Sequence, residues 1–215
     1  MGKLRVHSYA VSLDGYAAGP DQDLENPMGV GGMRLHEWVF ATEFGRNMMG
    51  DEGGETGIDN DFLKRGDVGI GATIMGRNMF GPIRGEWPAD DDWKGWWGPT
   101  PPYHHPVFVL THHERDPLPM EGGTTFYFVT DGIESAYEQA MAAAGGLDVR
   151  LGGGASTVRA YMNARLIDEM HIAVRPVLLG AGERIFDNLG DIAESYNHIE
   201  VTPSPAVTHY VLRKI

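Results

Sequence analysis

Three consecutive glycines, Gly152-Gly153-Gly154, separate a short apolar run, Val149-Arg150-Leu151, from a helix-like segment that opens at Ala155-Ser156-Thr157. Residues without a Cβ atom let backbone approach a neighbour closely. The first N–H groups of the following helix then point into the same space, with the positive end of its dipole behind them. A strand that ends in this way belongs to an α/β unit, and the turn suits a phosphate or pyrophosphate. Glycines also close turns, so this stretch alone leaves a plain turn open.

The same alternation of apolar runs and turn signals continues along the chain. Runs at 4–11, 68–75, 107–110, 125–129 and 148–151 predict strands. Leu35, Trp38 and Val39 recur at helical spacing and predict a helix over 35–41. Asp59 is expected to cap a helix beginning at 59–63. Asp131 followed by Glu134 reads as a capping box for a helix that runs to about Ala144 and stops at Gly145-Gly146. A further helix is expected from the triple glycine to about Arg165. Segments at 170–176, roughly 194–201 and 207–212 close the chain as strands joined without long helices, which predicts an antiparallel edge. The polar, glycine-bearing stretch 45–57 is expected to be a mobile excursion, and 88–106 is rich in Pro and Trp. There is no internal repeat or linker, so one α/β domain over 1–215 is expected, its sheet covered on both faces.

Composition narrows the function. The 215 residues are 42% hydrophobic and 22% charged, as in globular proteins, and the net charge of −13 argues against a nucleic-acid footprint. With no cysteine, disulfides, thiolate chemistry and cysteine-ligated zinc are excluded. No run reaches the length of a membrane span, and the start lacks the apolar core of a signal peptide, so a cytoplasmic protein is expected. His104-His105 and His112-His113 have no carboxylate at ligand spacing, so no metal site is expected.

Three strand ends carry anion-binding chemistry: Gly76-Arg77-Asn78, Leu110-Thr111-His112 and Gly152-Gly153-Gly154. Ligands of open α/β sheets sit beyond the carboxyl ends of strands. Arg77 offers a planar donor fork, Thr111, His112 and His113 offer hydroxyl and imidazole donors, and the glycines offer backbone amides. Together they suit a dinucleotide with separated phosphates. A P-loop is excluded, because Arg77 and Asn78 replace its Lys and Ser/Thr, and the usual Gly-x-Gly-x-x-Gly after a strand is absent.

These residues, with Val11-Ser12-Leu13-Asp14-Gly15-Tyr16 near the start and Pro176-Val177-Leu178-Leu179-Gly180 late in the chain, resemble the dihydrofolate reductase-like superfamily. The nearest type is the reductase domain of riboflavin biosynthesis, the RibD C-terminal domain. The motifs stand in the family's order and span roughly residues 4–213. The resemblance implies a three-layer α/β/α fold with a mixed, mainly parallel sheet and an antiparallel C-terminal edge. It implies NADPH as cofactor. Arg77, Thr111 and His112 would surround the adenosine 2′-phosphate, and Gly76, Asn78, Met79 and Leu110 would bind the cofactor beside them. Gly152, Gly153, Gly154, Ala155, Ser156 and Thr157 would hold the pyrophosphate, the loop from Asp14 to Gly19 would pack near the nicotinamide, and Ala10 would also bind the cofactor. The stretches 45–57 and 88–106 look like additions to a minimal reductase, and the zinc deaminase often fused to the riboflavin enzyme has no counterpart here.

The expected activity is hydride transfer from NADPH to a C=N or C=O carbon of a small heterocyclic substrate, in the manner of 5-amino-6-(5-phosphoribosylamino)uracil reductase. Asp14, at the end of the first strand, and Glu37, on the first helix, are the candidates for moving the accompanying proton. Asp14 also reads as a turn residue, and Glu37 as part of a solvated helix face. A dihydrofolate reductase and a non-catalytic NADP(H)-binding protein remain as alternatives. The resemblance and the Trp-rich segment suggest a homodimer.

Overall fold

The computed structural model describes residues 2–81, 85–87, 92–192 and 194–215. The chain begins with β1 (Leu4–Ser12) and β2 (Tyr16–Ala18), then α1 (Glu37–Ala41), α2 (Glu43–Met48) and α3 (Ile58–Asp67). It continues through β3 (Ile70–Gly76), α4 (Arg77–Phe80), β4 (Pro106–Leu110), β5 (Leu118–Pro119) and β6 (Thr125–Val129). Then follow α5 (Ile133–Ala143), β7 (Asp148–Gly153), α6 (Ala155–Asn163) and β8 (Glu169–Arg175). The last strands are β9 (Glu183–Arg184), β10 (Tyr196–Pro203) and β11 (Thr208–Lys214).

Nine strands form one sheet in the order β10-β11-β8-β1-β7-β3-β4-β6-β5, and β2 pairs with β9 apart from it. β8, β1, β7, β3, β4 and β6 run parallel, whereas β10, β11 and β5 join antiparallel at the two edges. This is the mixed, mainly parallel sheet expected from the alternation of strands and helices. Alternate residues of β8 show its two covered faces. Met170 and Ile172 enter the core with Ala136 and Ala140 of α5 and Val158 and Tyr161 of α6. Ala173 faces the other way, against Trp38 of α1 and Leu63 of α3.

Local expectations fail where side chains have other work. The helix expected over 35–41 is shorter: a 3-10 turn at Gly32–Leu35 precedes α1, and His36 stands between them. The excursion expected over 45–57 begins inside α2 and is then tied back. Glu55 donates its amide to the Ala41 carbonyl at 2.8 Å, and its own carbonyl accepts from Glu43 N at 2.9 Å. Gly132, not Asp131, is the N-cap of α5, with no side-chain capping bond. Likewise Gly57, at φ 118°, is the N-cap of α3, and Asp59 lies in its first turn.

Asp59 instead anchors a buried chain of histidines that sequence reasoning missed. His209 Nε2 lies 2.8 Å from Asp59 Oδ1, and His171 Nε2 lies 2.9 Å from His209 Nδ1. Ser8 N–H donates to His171 Nδ1 at 3.1 Å. That donor fixes the tautomers: each ring gives its Nε2–H toward Asp59 and accepts at Nδ1. Phe62 stacks on His209 with centroids 3.9 Å apart and on His171 at 4.6 Å.

Candidate active site

Because the six inner strands are parallel, their carboxyl ends share one edge of the sheet. β7 lies between β1 and β3. The chain steps from β1 outward through β3, β4 and β6, then returns to place β7 in the gap and β8 on the far side of β1. That reversal is the kind of switch point where α/β sheets bind ligands. The ends of β1, β7, β3 and β4 therefore stand side by side, and they carry Asp14, the triple glycine, Arg77 and Thr111.

The glycine turn is packed tightly on its inner side. A Cβ on Gly76 would collide with the Thr157 hydroxyl, so the ends of β3 and β7 and the first turn of α6 touch directly. Gly152 rests on Met79, whose sulfur would lie 2.9 Å from a Cβ there, and Gly153, at φ 136°, faces Tyr9. The Gly153–Gly154 peptide is cis. Gly154 is the N-cap of α6, and the first bond of that helix runs from Val158 N to Gly154 O at 3.0 Å. The amides ahead of Val158 thus have no partner within the helix. A Cβ on Gly154 would meet nothing within 4 Å, so this backbone borders open space. A glycine cradle at a helix N-terminus, open on one side, fits a pyrophosphate.

Arg77 follows β3 directly. Its Nη1 donates to Gly85 O at 2.6 Å and lies 3.5 Å from Thr111 Oγ1, and its guanidinium lies over the Trp87 ring at 3.7 Å. Thr111 is buried, and its Oγ1 accepts from His113 N at 3.2 Å. Arg77 and Thr111 are therefore brought together as the sequence suggested. His112 is exposed, and it is His113 that joins the cluster, through Glu86 at 3.1 Å and through its carbonyl to Trp87. His113 belongs to the strand-end motif Leu110-Thr111-His112-His113, and Trp87 to the tryptophans that could floor a heterocycle site or form a dimer contact; the direct packing of Trp87 on Arg77 is not foreseen from the sequence.

The two carboxylates differ. Asp14 accepts from Gly180 N at 2.7 Å and from Leu179 N at 3.1 Å. The Ser12 hydroxyl, and then these amides, hold its pKa at about 2. It is a clip between the loop after β1 and the 178–180 segment, ionised at neutral pH. Glu37 is 63% exposed at its side chain and pairs with Arg175 at 2.9 Å. Arg175 also donates to the carbonyls of Ala206 and Arg34. Of the remaining candidates, Ala10 is buried in β1 beside Ala173, and Asn78 and Met79 form the turn of α4 under the glycines. Leu110 ends β4, Ala155 is buried, and Ser156 is exposed. Gly19 lacks a side chain for a reason internal to the chain, since a Cβ there would strike the Val30 carbonyl. Among the described residues no group of three or more His, Cys, Asp or Glu is placed to hold a metal ion, and no helix is long and apolar enough to cross a membrane.

Comparison with known proteins bears on the family and the fold. The family model described as the RibD C-terminal domain matches residues 6–208. A putative riboflavin biosynthesis protein from Shewanella sp. PV-4 superposes with a TM-score of 0.61 at 23% identity, over 100% of this chain and 99% of that one. Dihydrofolate reductase from Enterococcus faecalis, solved with NADP(H), gives 0.53 at 13% identity over 99% and 96%. The deaminase/5-amino-6-(5-phosphoribosylamino)uracil reductase of Thermotoga maritima gives 0.55 at 12% identity over 100% of this chain and 57% of that chain. A search of curated protein sequences finds no match.

Proposed function

Since this chain belongs to the RibD C-terminal domain family and is a reductase, we propose that it uses NADPH to reduce a C=N or C=O carbon of a small pyrimidine- or pterin-like heterocycle. The observation that carries the reading is the adjacency of two anion-binding devices at one sheet edge: the glycine cradle before α6, and Arg77 with Thr111. NADPH, when bound, supplies the hydride; the protein supplies orientation and electrostatics.

Gly152, Gly153 and Gly154, with the first amides of α6, hold the pyrophosphate, and Arg77 and Thr111 take the 2′-phosphate. Asp14 keeps the loop after β1 closed against Leu179 and Gly180, and its ionised state removes it from proton donation near neutrality. Glu37, held by Arg175, orders the water from which the reduced substrate takes its proton.

The test is NADPH consumption against a panel of pyrimidine, pterin and carbonyl compounds, in wild type and Glu37→Gln. We expect turnover with a heterocycle of the panel. Glu37→Gln should lower kcat by roughly 100-fold while leaving NADPH affinity intact. Stoichiometric NADPH binding without turnover on any compound would favour a binding protein instead.

A further inference from the structure

Trp87 sits where Arg77 and the Thr111–His113 turn of the proposed cofactor site meet. One ring face carries the Arg77 guanidinium at 3.7 Å, and the Arg115 guanidinium lies 4.7 Å from the ring. Phe80 and Phe128 meet the indole edge-on, with centroids 6.0 and 5.4 Å away. The indole N–H donates to His113 O at 3.0 Å.

These contacts close a ring of interactions. Arg77 donates to Gly85 O, Gly85 leads in sequence to Trp87, Trp87 donates to His113 O, His113 N donates to Thr111 Oγ1, and Arg77 Nη1 returns to Thr111 Oγ1. The carboxyl ends of β3 and β4 are thereby braced against each other through one aromatic side chain.

The consequence is preorganisation. An arginine side chain has many rotamers, and a fork that must order itself on binding recovers less of its interaction with a phosphate. A guanidinium held over a clamped indole, and bonded at Nη1 to Gly85 O, has fewer orientations open to it, and attraction to the ring face holds it there.

We infer that Trp87 is a specificity-determining positioning residue, which sets the Arg77 fork and the Thr111–His113 turn to read a 2′-phosphate on an adenine nucleotide. The inference rests on the proposed use of NADPH and adds to it a residue outside the strand-end motifs.

The experiment measures the affinities of 2′,5′-ADP and of 5′-AMP, which differ only in the 2′-phosphate, for wild type, Trp87→Leu, Trp87→Phe, Arg77→Ala and the double variant. Wild type should prefer 2′,5′-ADP. Trp87→Leu should lower 2′,5′-ADP affinity by about tenfold and leave 5′-AMP nearly unchanged, since the lost stack acts only through the fork. Trp87→Phe keeps a ring under the guanidinium but loses the bond to His113, and should fall between the two. In the Arg77→Ala background, Trp87→Leu should cost nothing further. A preference that survives in Trp87→Leu, or in Trp87→Phe should the leucine variant not fold, overturns the inference while the cofactor reading stands. A wild type that does not distinguish the two nucleotides overturns both.

Discussion

A side chain at position 76 has nowhere to go. Gly76 abuts the Thr157 hydroxyl, and beyond it the Gly153 carbonyl. Gly76→Ala should therefore push the β7 turn away from β3 and destabilise the fold by about 1–3 kcal/mol, the range for overpacking, as read from urea unfolding. At Gly154 the same methyl would enter open space, so Gly154→Ala should act mainly on affinity, weakening NADPH binding by crowding the cradle. Arg77→Ala should bring NADPH and NADH affinities together, because the two cofactors differ only in the phosphate assigned to that fork. Equal losses for both cofactors would place Arg77 elsewhere on the dinucleotide. These residues were legible because backbone chemistry marks them: glycines at strand ends and an arginine directly after one. Trp87 was legible only as an aromatic for a heterocycle site or a dimer contact; its pairing with Arg77 depends on a fold-back that local pattern does not encode.

Among the elements, α3 shows most clearly how tertiary contacts override local rules. Its first turn offers Asp59, which a sequence reader assigns to the cap, but the carboxylate is used on His209 across the layer. The cap position falls to Gly57, whose φ of 118° favours glycine. At α5 the capping box also fails, with Gly132 as N-cap. Apolar periodicity located the helices and strands, and the polar residues near their starts did not fix the caps, at Asp59 because its carboxylate has a distant partner. Removing that partner should be costly. Asp59→Ala leaves the Nε2–H of a histidine with 0% exposure lacking its acceptor, and should cost about 1–3 kcal/mol in urea unfolding. A variant as stable as wild type would show that the histidine chain is not held from that end.

Across the whole molecule, burial keeps several histidines neutral. It lowers His7 to about 2, His171 to about 3, and His36 and His105 to about 4, and it lowers His209 as well, against the pull of Asp59. In the unfolded chain each titrates near 6.5. Above that value neither state is protonated, and this contribution to stability is fully present. As pH falls below it, the unfolded chain takes up protons that the folded chain refuses, so stability is lost at up to about 1.4 kcal/mol per pH unit for each such histidine. Unfolding free energy should fall steeply from pH 7 to pH 5, and a flat profile would contradict the burial of these rings.

The sheet order places the ends of β1, β7, β3 and β4 side by side, and the central claim is that this edge binds NADPH across the glycine cradle and Arg77. Calorimetric titration of the purified protein with NADPH and with NADH tests it most directly. One NADPH should bind per chain, saturably and tighter than NADH by at least about tenfold, the range for a charge-assisted phosphate contact. Absence of NADPH binding, or equal affinity for the two, would contradict it.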